Sequence, residues 1–197
     1  TSNFEIPNRF TMRLSYEHEW FDDFATKVSL FGQAYQARAY SYNFINGGLN
    51  DMFGDGQESI HLLYVPTGPT DPNVLFCGGA VQANPLCRVS PAGAGATQFR
   101  TFDTTSFFNW VDSVGLTRGA VTGPNDQEGS RTNKFDLEIE QEFPTVFGNG
   151  SVFATIENIG NLIDDEWGVP YESPFPQQVR LVESDRDPAT GRYVFRQ

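Results

Sequence analysis

Strict alternation of apolar and polar residues constrains this chain more than any other feature. Over residues 9–20, one set of alternate positions is Phe10, Met12, Leu14, Tyr16 and Trp20, interrupted only by His18. The positions between them are Thr11, Arg13, Ser15, Glu17 and Glu19. Successive side chains of a β-strand point to opposite faces, so the pattern predicts a strand with one apolar and one polar face.

Residues 134–143 repeat this pattern with more charge. Phe135, Leu137, Ile139 and Phe143 alternate with Lys134, Asp136, Glu138, Glu140 and Glu142. Five charges on one strand face would be costly in a dry core, but they suit a water-filled lumen while the other face meets lipid. The chain is therefore predicted to be all-β, an antiparallel transmembrane β-barrel segment belonging to a larger barrel.

A short turn and a second candidate strand follow each of these stretches. The expected spanning strands are 9–20, 25–42, 131–143 and 151–163. Aromatic residues gather near the two turns: Trp20, Phe21, Phe24, Phe143 and Phe147. An aromatic girdle at a membrane interface accounts for this clustering, and ordinary hairpin cores are the alternative.

Residues 43–130 contain little regular alternation. Residues 59–65 are a short strand candidate, and residues 104–114 are a candidate for a brief helix or turn. Residues 179–183 and 193–195 could pair as strands near the end of the chain. A connection as long as residues 43–130 suits the extracellular side of a barrel. The short turns at 21–24 and 144–150 are then expected on the periplasmic side.

Composition argues against several other classes of protein. No run approaches the roughly 20 apolar residues of a membrane-spanning helix, and the net charge of -12 argues against a nucleic-acid partner. No G-x-S-x-G motif is present and His18 and His61 are isolated, so we expect no enzyme and no catalytic residues. The first residues lack the basic start and apolar core of a signal peptide.

The two cysteines, Cys77 and Cys87, lie in a stretch rich in Gly, Ala, Pro and Asn. With no histidine nearby, the pair predicts a disulfide formed in an oxidising compartment, and two free thiols are the alternative.

Residues 50–58 contain the only candidate metal site. Asp51 and Asp55 are potential oxygen ligands for calcium, and two glycines permit tight turns. The EF-hand pattern fails, because Phe53 stands at its third position and Leu62 at its twelfth. A plain Gly/Asp turn is the simpler interpretation, and no other cofactor is expected.

Several short motifs follow one another along nearly the whole chain. They are Pro7-Asn8-Arg9-Phe10, Ala39-Tyr40-Ser41-Tyr42, the acidic loop 50–56, Leu63-Tyr64-Val65-Pro66, Arg118-Gly119, Asn133-Lys134-Phe135-Asp136-Leu137, Gln141-Glu142, Glu157-Asn158-Ile159-Gly160-Asn161-Leu162-Ile163 and Trp167-Gly168. Their order and spacing resemble the C-terminal barrel of TonB-dependent receptors, most closely the Oar-like subgroup.

The resemblance implies a protein of the bacterial outer membrane that takes up a bulky substrate. Residues 1–197 would then be the C-terminal part of its barrel. The implied partners are outer-membrane lipid, the remainder of the barrel with its plug, and TonB, which is contacted through an N-terminal part. Since four spanning strands cannot close a barrel, we expect a fragment whose sheet edges pair with other polypeptide.

A second functional class stays open at this point. A secreted or surface β-sandwich that serves in binding or adhesion would use Tyr40, Tyr42, Trp110 and Trp167 as exposed aromatic residues. The alternation and the unequal loop lengths favour the receptor. Dependence on detergent discriminates the two classes, because a sandwich stays soluble without it.

Overall fold

The computed structural model describes residues 8–21, 23–45, 52–56, 60–79, 81, 84–89 and 98–196. Within this part the chain is mostly antiparallel β-sheet with one α-helix, which agrees with the all-β prediction at that level. The strands are β1 (Arg9–Phe21), β2 (Phe24–Gln36), β3 (Ser41–Ile45), β4 (Tyr64–Val65), β5 (Val74–Phe76), β6 (Arg88–Val89), β7 (Gln98–Phe99), β8 (Ala120–Val121), β9 (Arg131–Thr145), β10 (Gly148–Ile156), β11 (Gln178–Arg186) and β12 (Tyr193–Arg196).

The helical elements are few and short. Helix α1 spans Thr104–Ser113, and two 3₁₀ helices cover Pro85–Cys87 and Ile159–Leu162. Across the described ranges, no helix combines the length and the apolar composition needed to cross a membrane.

The chain divides into two compact units. The long-strand unit comprises residues 2–39 and 128–174, and the mixed-sheet unit comprises residues 40–127 and 175–197. Most of the region expected to be one long loop, 43–130, thus belongs to a unit with a hydrophobic core of its own.

The long-strand unit is built on one antiparallel sheet with the strand order β1-β2-β9-β10. β1 and β2 have 13 residues each and β9 has 15. The connections from β1 to β2 and from β9 to β10 lie at one end of this sheet. At the other end, near Gln36 and Arg131, the chain leaves the unit and returns to it.

Strand β2 ends at Gln36, although the sequence predicted a spanning strand from 25 to 42. After Gln36 the chain passes very close to Gly129, where an added Cβ would lie 2.6 Å from the backbone of Ala37. Residues 41–44 are then buried at every position and form β3 of the mixed-sheet unit. A strand buried on both faces belongs to a core, so the predicted strand was too long at this end.

Strand β10 also ends early, at Ile156, where the prediction extended to residue 163. Asn158 adopts a left-handed backbone with φ of 54°, a conformation that asparagine tolerates better than most residues. Its side-chain Nδ2 donates a hydrogen bond to the Trp167 carbonyl over 2.8 Å. This contact turns the chain into the 3₁₀ helix and away from the sheet edge.

The mixed-sheet unit has a four-stranded sheet in the order β3-β11-β12-β5. β11 and β12 pair antiparallel, with Arg186 opposite Tyr193. The two segments predicted near the chain end are thus strands, but residues 183–186 form the pairing with β12, while residues 179–182 pair with β3. The outer pairs, β3 with β11 and β5 with β12, are parallel. Phe44, Leu63, Val65 and Phe195 are among the fully buried core residues.

Helix α1 confirms the helix option predicted for residues 104–114. It begins after Asp103, whose Oδ1 accepts a hydrogen bond from the Ser106 backbone N–H over 3.0 Å. Phe107, Phe108 and Val111 are buried in the core.

Of the strand candidate 59–65, only Tyr64–Val65 is a strand, and Ser59 lies outside the described residues.

Candidate functional site

One face of the long-strand sheet is apolar. The register places on it Phe10, Met12, Leu14, Tyr16, His18, Trp20, Thr26, Val28, Leu30, Gly32, Ala34, Asn133, Phe135, Leu137, Ile139, Gln141, Phe143, Val152, Ala154 and Ile156. Gln36 and Arg131 lie on the same face at the end away from the turns, and Arg131 is the one charged residue among the described strand positions of this face. Phe10, Leu14, Tyr16 and Trp20 are each at least 60% exposed, so much of this face is uncovered.

The opposite face carries the charged side chains. Glu17, Lys27 and Glu140 lie in one row across three strands. Lys134 Nζ lies 3.3 Å from Asp136 Oδ1. A small cavity of about 230 Å³ opens on this face between Arg13, Asp136 and Glu138. Phe31 and Phe153 interrupt the polar pattern, and both are exposed.

Aromatic and apolar side chains also surround the turn end of the sheet. Trp20 is 62% exposed, and Val146 and Phe147 at the tip of the second turn are more than 90% exposed. Phe143 is exposed as well. Exposed apolar patches of this extent mark a surface that meets another apolar phase or partner. The predicted aromatic cluster is thus present at this end for these residues.

The two histidines lie in different parts of the structure. His18 lies on the apolar face of β1, with its ring 4.6 Å from that of Trp20. His61 Nε2 lies 3.6 Å from Asp55 Oδ1, and its ring packs edge-on against Phe53. Neither histidine belongs to a group of three or more His, Cys, Asp or Glu side chains suited to a metal among the described residues.

The structure describes one of the two residues predicted as calcium ligands. Asp51 lies outside the described residues, and Asp55 stands between Gly54 and Gly56, which have φ of 71° and 72°. No group of three or more His, Cys, Asp or Glu side chains suited to a metal occurs in the ranges described. Residues 52–56 form a bend, in which both glycines adopt the left-handed backbone conformation that glycine favours.

Cys77 and Cys87 form the predicted disulfide. Their Cα atoms lie 5.4 Å apart and both residues are buried. The Cys77 backbone N–H donates a hydrogen bond to the Phe195 carbonyl over 2.9 Å. The disulfide therefore lies beside strand β12 in the interior of the mixed-sheet unit, packed with Val194.

The aromatic residues expected to be exposed for binding are mostly covered. Tyr42 is 5% exposed, and its ring packs edge-on against both Tyr40 and Trp110. Burial raises the pKa of Tyr42 well above its ordinary value, and the hydrogen bond with the Tyr40 hydroxyl raises this pKa further. The expectation of exposure is wrong for Tyr42, because this residue belongs to the core of the mixed-sheet unit.

Asp71 is a buried carboxylate that sequence reasoning missed. Its oxygens accept hydrogen bonds from the Thr67 and Asn73 backbone N–H groups and from the hydroxyls of Tyr64 and Thr67. Burial works to raise the pKa of Asp71, but these hydrogen bonds outweigh it and hold the pKa below its ordinary value. The Asp-x-Asn pattern at residues 71–73 was the available signal for such a turn.

Comparison with protein-family models, with curated proteins and with solved structures found no match to this chain.

Proposed function

We propose that this chain forms part of an outer-membrane receptor or transporter barrel, with the long-strand sheet as its membrane-crossing portion. One observation carries the proposal. Most of the exposed apolar side chains of the sheet lie on one face of strands 13–15 residues long, and most of its charged side chains lie on the other. The exceptions are Phe31 and Phe153 on the polar face and Arg131 at one end of the apolar face. A tilted strand needs roughly 9–11 residues to cross the hydrocarbon layer.

The arrangement of the two faces supports lipid on one side and water on the other. Leu14, Leu30, Leu137 and Ile156 form a continuous row on the apolar face. The adjacent row, on the polar face, is Ser15, Ser29, Glu138 and Thr155. Membrane barrels show this alternation between lipid-facing and lumen-facing positions.

The finer proposal rests on the resemblance to TonB-dependent receptors of the Oar-like subgroup. In it, energised uptake of a bulky substrate across the bacterial outer membrane involves a plug and contact with TonB. Under this proposal the free edges of the sheet, at β1 and β10, pair with further strands of the barrel, since unpaired backbone groups in hydrocarbon cost several kcal/mol each.

A surface binding or adhesion module is the second candidate function. The observation that favours it is the mixed-sheet unit, which has its own aromatic core and an internal disulfide. A unit with a core of its own does not need lipid to cover its apolar side chains.

Membrane fractionation separates the two candidates. The receptor proposal expects the protein in the outer-membrane fraction, resistant to high salt and carbonate and released only by detergent. A protein that washes off with salt and remains monodisperse without detergent contradicts the receptor proposal and supports the binding module.

A further inference from the structure

Residues 158–167, called here the interfacial segment, lie against the apolar face of the long-strand sheet. Gly160 is buried, and a Cβ added to it would lie 2.8 Å from Trp167 Cε3 and 3.3 Å from Phe135 Cδ2. The rings of Trp167 and Phe135 are 5.6 Å apart. The glycine therefore allows the segment to approach the sheet closely.

An apolar cavity of about 470 Å³ lies between the segment and the sheet. Leu30 and Phe135 line it from the sheet, and Ile159, Leu162, Ile163 and Trp167 line it from the segment. No charged side chain contributes to this lining. Leu162 and Ile163 are 83% and 81% exposed, which is unusual for two adjacent large apolar residues in an aqueous setting.

The backbone of the segment has internal hydrogen-bond partners. The Asn161 N–H donates to the Asn158 carbonyl over 3.0 Å, and the Ile163 N–H donates to the Gly160 carbonyl over 2.9 Å. The Trp167 N–H donates to the Asp164 carbonyl over 3.1 Å. Lipid requires such internal pairing, whereas an added β-strand would need open backbone groups.

The charges beside the segment set its depth. Asp164, Asp165 and Glu166 follow the apolar pair directly and are all exposed. Exposed carboxylates require water, while Leu162 and Ile163 favour hydrocarbon. A position of the segment at the boundary between headgroups and acyl chains satisfies both requirements.

We propose that the interfacial segment is an in-plane membrane anchor that takes a phospholipid acyl chain into its apolar cavity. The inference rests on the proposed function, because the cavity opens onto the sheet face assigned to lipid. Leu162 and Ile163 insert between lipids, and Trp167 forms the inner wall of the acyl-chain site.

Quenching of tryptophan fluorescence by brominated lipids tests the anchor. The chain has three tryptophans, so W20F/W110F leaves Trp167 as the only reporter and W110F/W167F leaves Trp20. Each protein is reconstituted into phosphatidylcholine vesicles brominated either near the glycerol or near the acyl-chain end. An interfacial position roughly 5–10 Å deep predicts about twofold stronger quenching of Trp167 by the bromines near the glycerol.

The Trp20 reporter separates failure of the anchor from failure of the proposed function. Quenching of Trp20 without quenching of Trp167 overturns the anchor and leaves the membrane-crossing sheet in place. A protein in which neither tryptophan is quenched contradicts both proposals.

A second variant tests the two exposed residues without disturbing the core. L162N/I163N is expected to weaken the lipid quenching of Trp167 and to increase its quenching by aqueous iodide. The matched control is V146N, at a position 92% exposed on the second turn, which should leave the Trp167 signal unchanged. Unchanged Trp167 quenching in L162N/I163N overturns the anchor.

Discussion

Ser15 and Ser29 face each other across β1 and β2, with their hydroxyl oxygens 3.0 Å apart. One step along the same strands, Leu14 faces Leu30 on the opposite side of the sheet. A register slip of one residue in either strand would bring serine opposite leucine and mix the two faces. The observed register therefore keeps the two leucines on one face of the sheet and the two serines on the other.

Arginine substitutions on the two faces should differ strongly in their effect on stability. If the apolar face meets lipid, Leu14→Arg or Leu137→Arg lowers the free energy of unfolding in vesicles by about 2–4 kcal/mol. Ser15→Arg and Glu138→Arg, one position away on the polar face, should have mild effects. Denaturant titration of protein folded in vesicles measures this, and equal losses on both faces would contradict the assignment.

Reduction of the Cys77–Cys87 bond should loosen the mixed-sheet unit locally. The bond closes a loop between residues 10 positions apart, and the chain-entropy model gives about 2–3 kcal/mol for such a loop. Hydrogen exchange with and without reductant should show faster exchange around Cys77 and strand β12. Strands β1 and β2 serve as the internal control, and acceleration there to the same degree would argue against a local effect.

Asp71→Asn should destabilise the mixed-sheet unit by about 2 kcal/mol, because the amide nitrogen cannot accept the hydrogen bonds that a charged carboxylate receives. Asp112→Asn is the matched control, since its ion pair with Arg118 lies on the surface and contributes little. Thermal unfolding followed by near-UV circular dichroism compares the two. A loss in Asp112→Asn as large as in Asp71→Asn would contradict a special role for Asp71.

The contribution of Asp71 should also depend on pH. Its pKa in the folded protein lies below the ordinary value of 3.8, so the folded state binds this proton more weakly than the unfolded state. The stabilisation is present above pH 3.8 and is lost as the pH falls through the folded pKa. The stability difference between the wild type and Asp71→Asn should therefore shrink in this acidic range, as urea titrations at several pH values would show.

Gly129→Ala should destabilise the long-strand unit by about 1–3 kcal/mol through steric overlap. An added Cβ at Gly129 would lie 2.6 Å from backbone atoms of Ala37, which cannot rotate away as a side chain can. Gly68→Ala is the control, because nothing lies within 4 Å of its added Cβ. Urea denaturation measures both variants, and equal stability of the two would refute the close-packing argument.

Alternation in the sequence was sufficient to predict β1 and β9 and the side chains on each of their faces. Helix α1, the presence of strands at residues 179–183 and 193–195 and the Cys77–Cys87 bond also followed from local signals. These features depend on neighbours close in the chain or on a short-range repeat, which a single sequence records directly.

The ends of β2 and β10 were decided only by the tertiary structure. The approach of Gly129 to Ala37 and the left-handed turn at Asn158 depend on residues far away in the sequence or on one unusual backbone conformation. Residues 40–42 were predicted as the end of the strand that begins at residue 25, yet Ser41 and Tyr42 are buried in a different unit.

The sequence by itself determined the periodicity of each strand, and therefore which residues share a face. Only the tertiary structure decided that β2 lies beside β9, that parallel pairs join β3 to β11 and β5 to β12, and that Asp71 is buried among four donors. The physical reason is that side-chain alternation is a local property of extended backbone. Strand order, parallel pairing and burial arise from contacts between segments that many arrangements of the same pattern would allow.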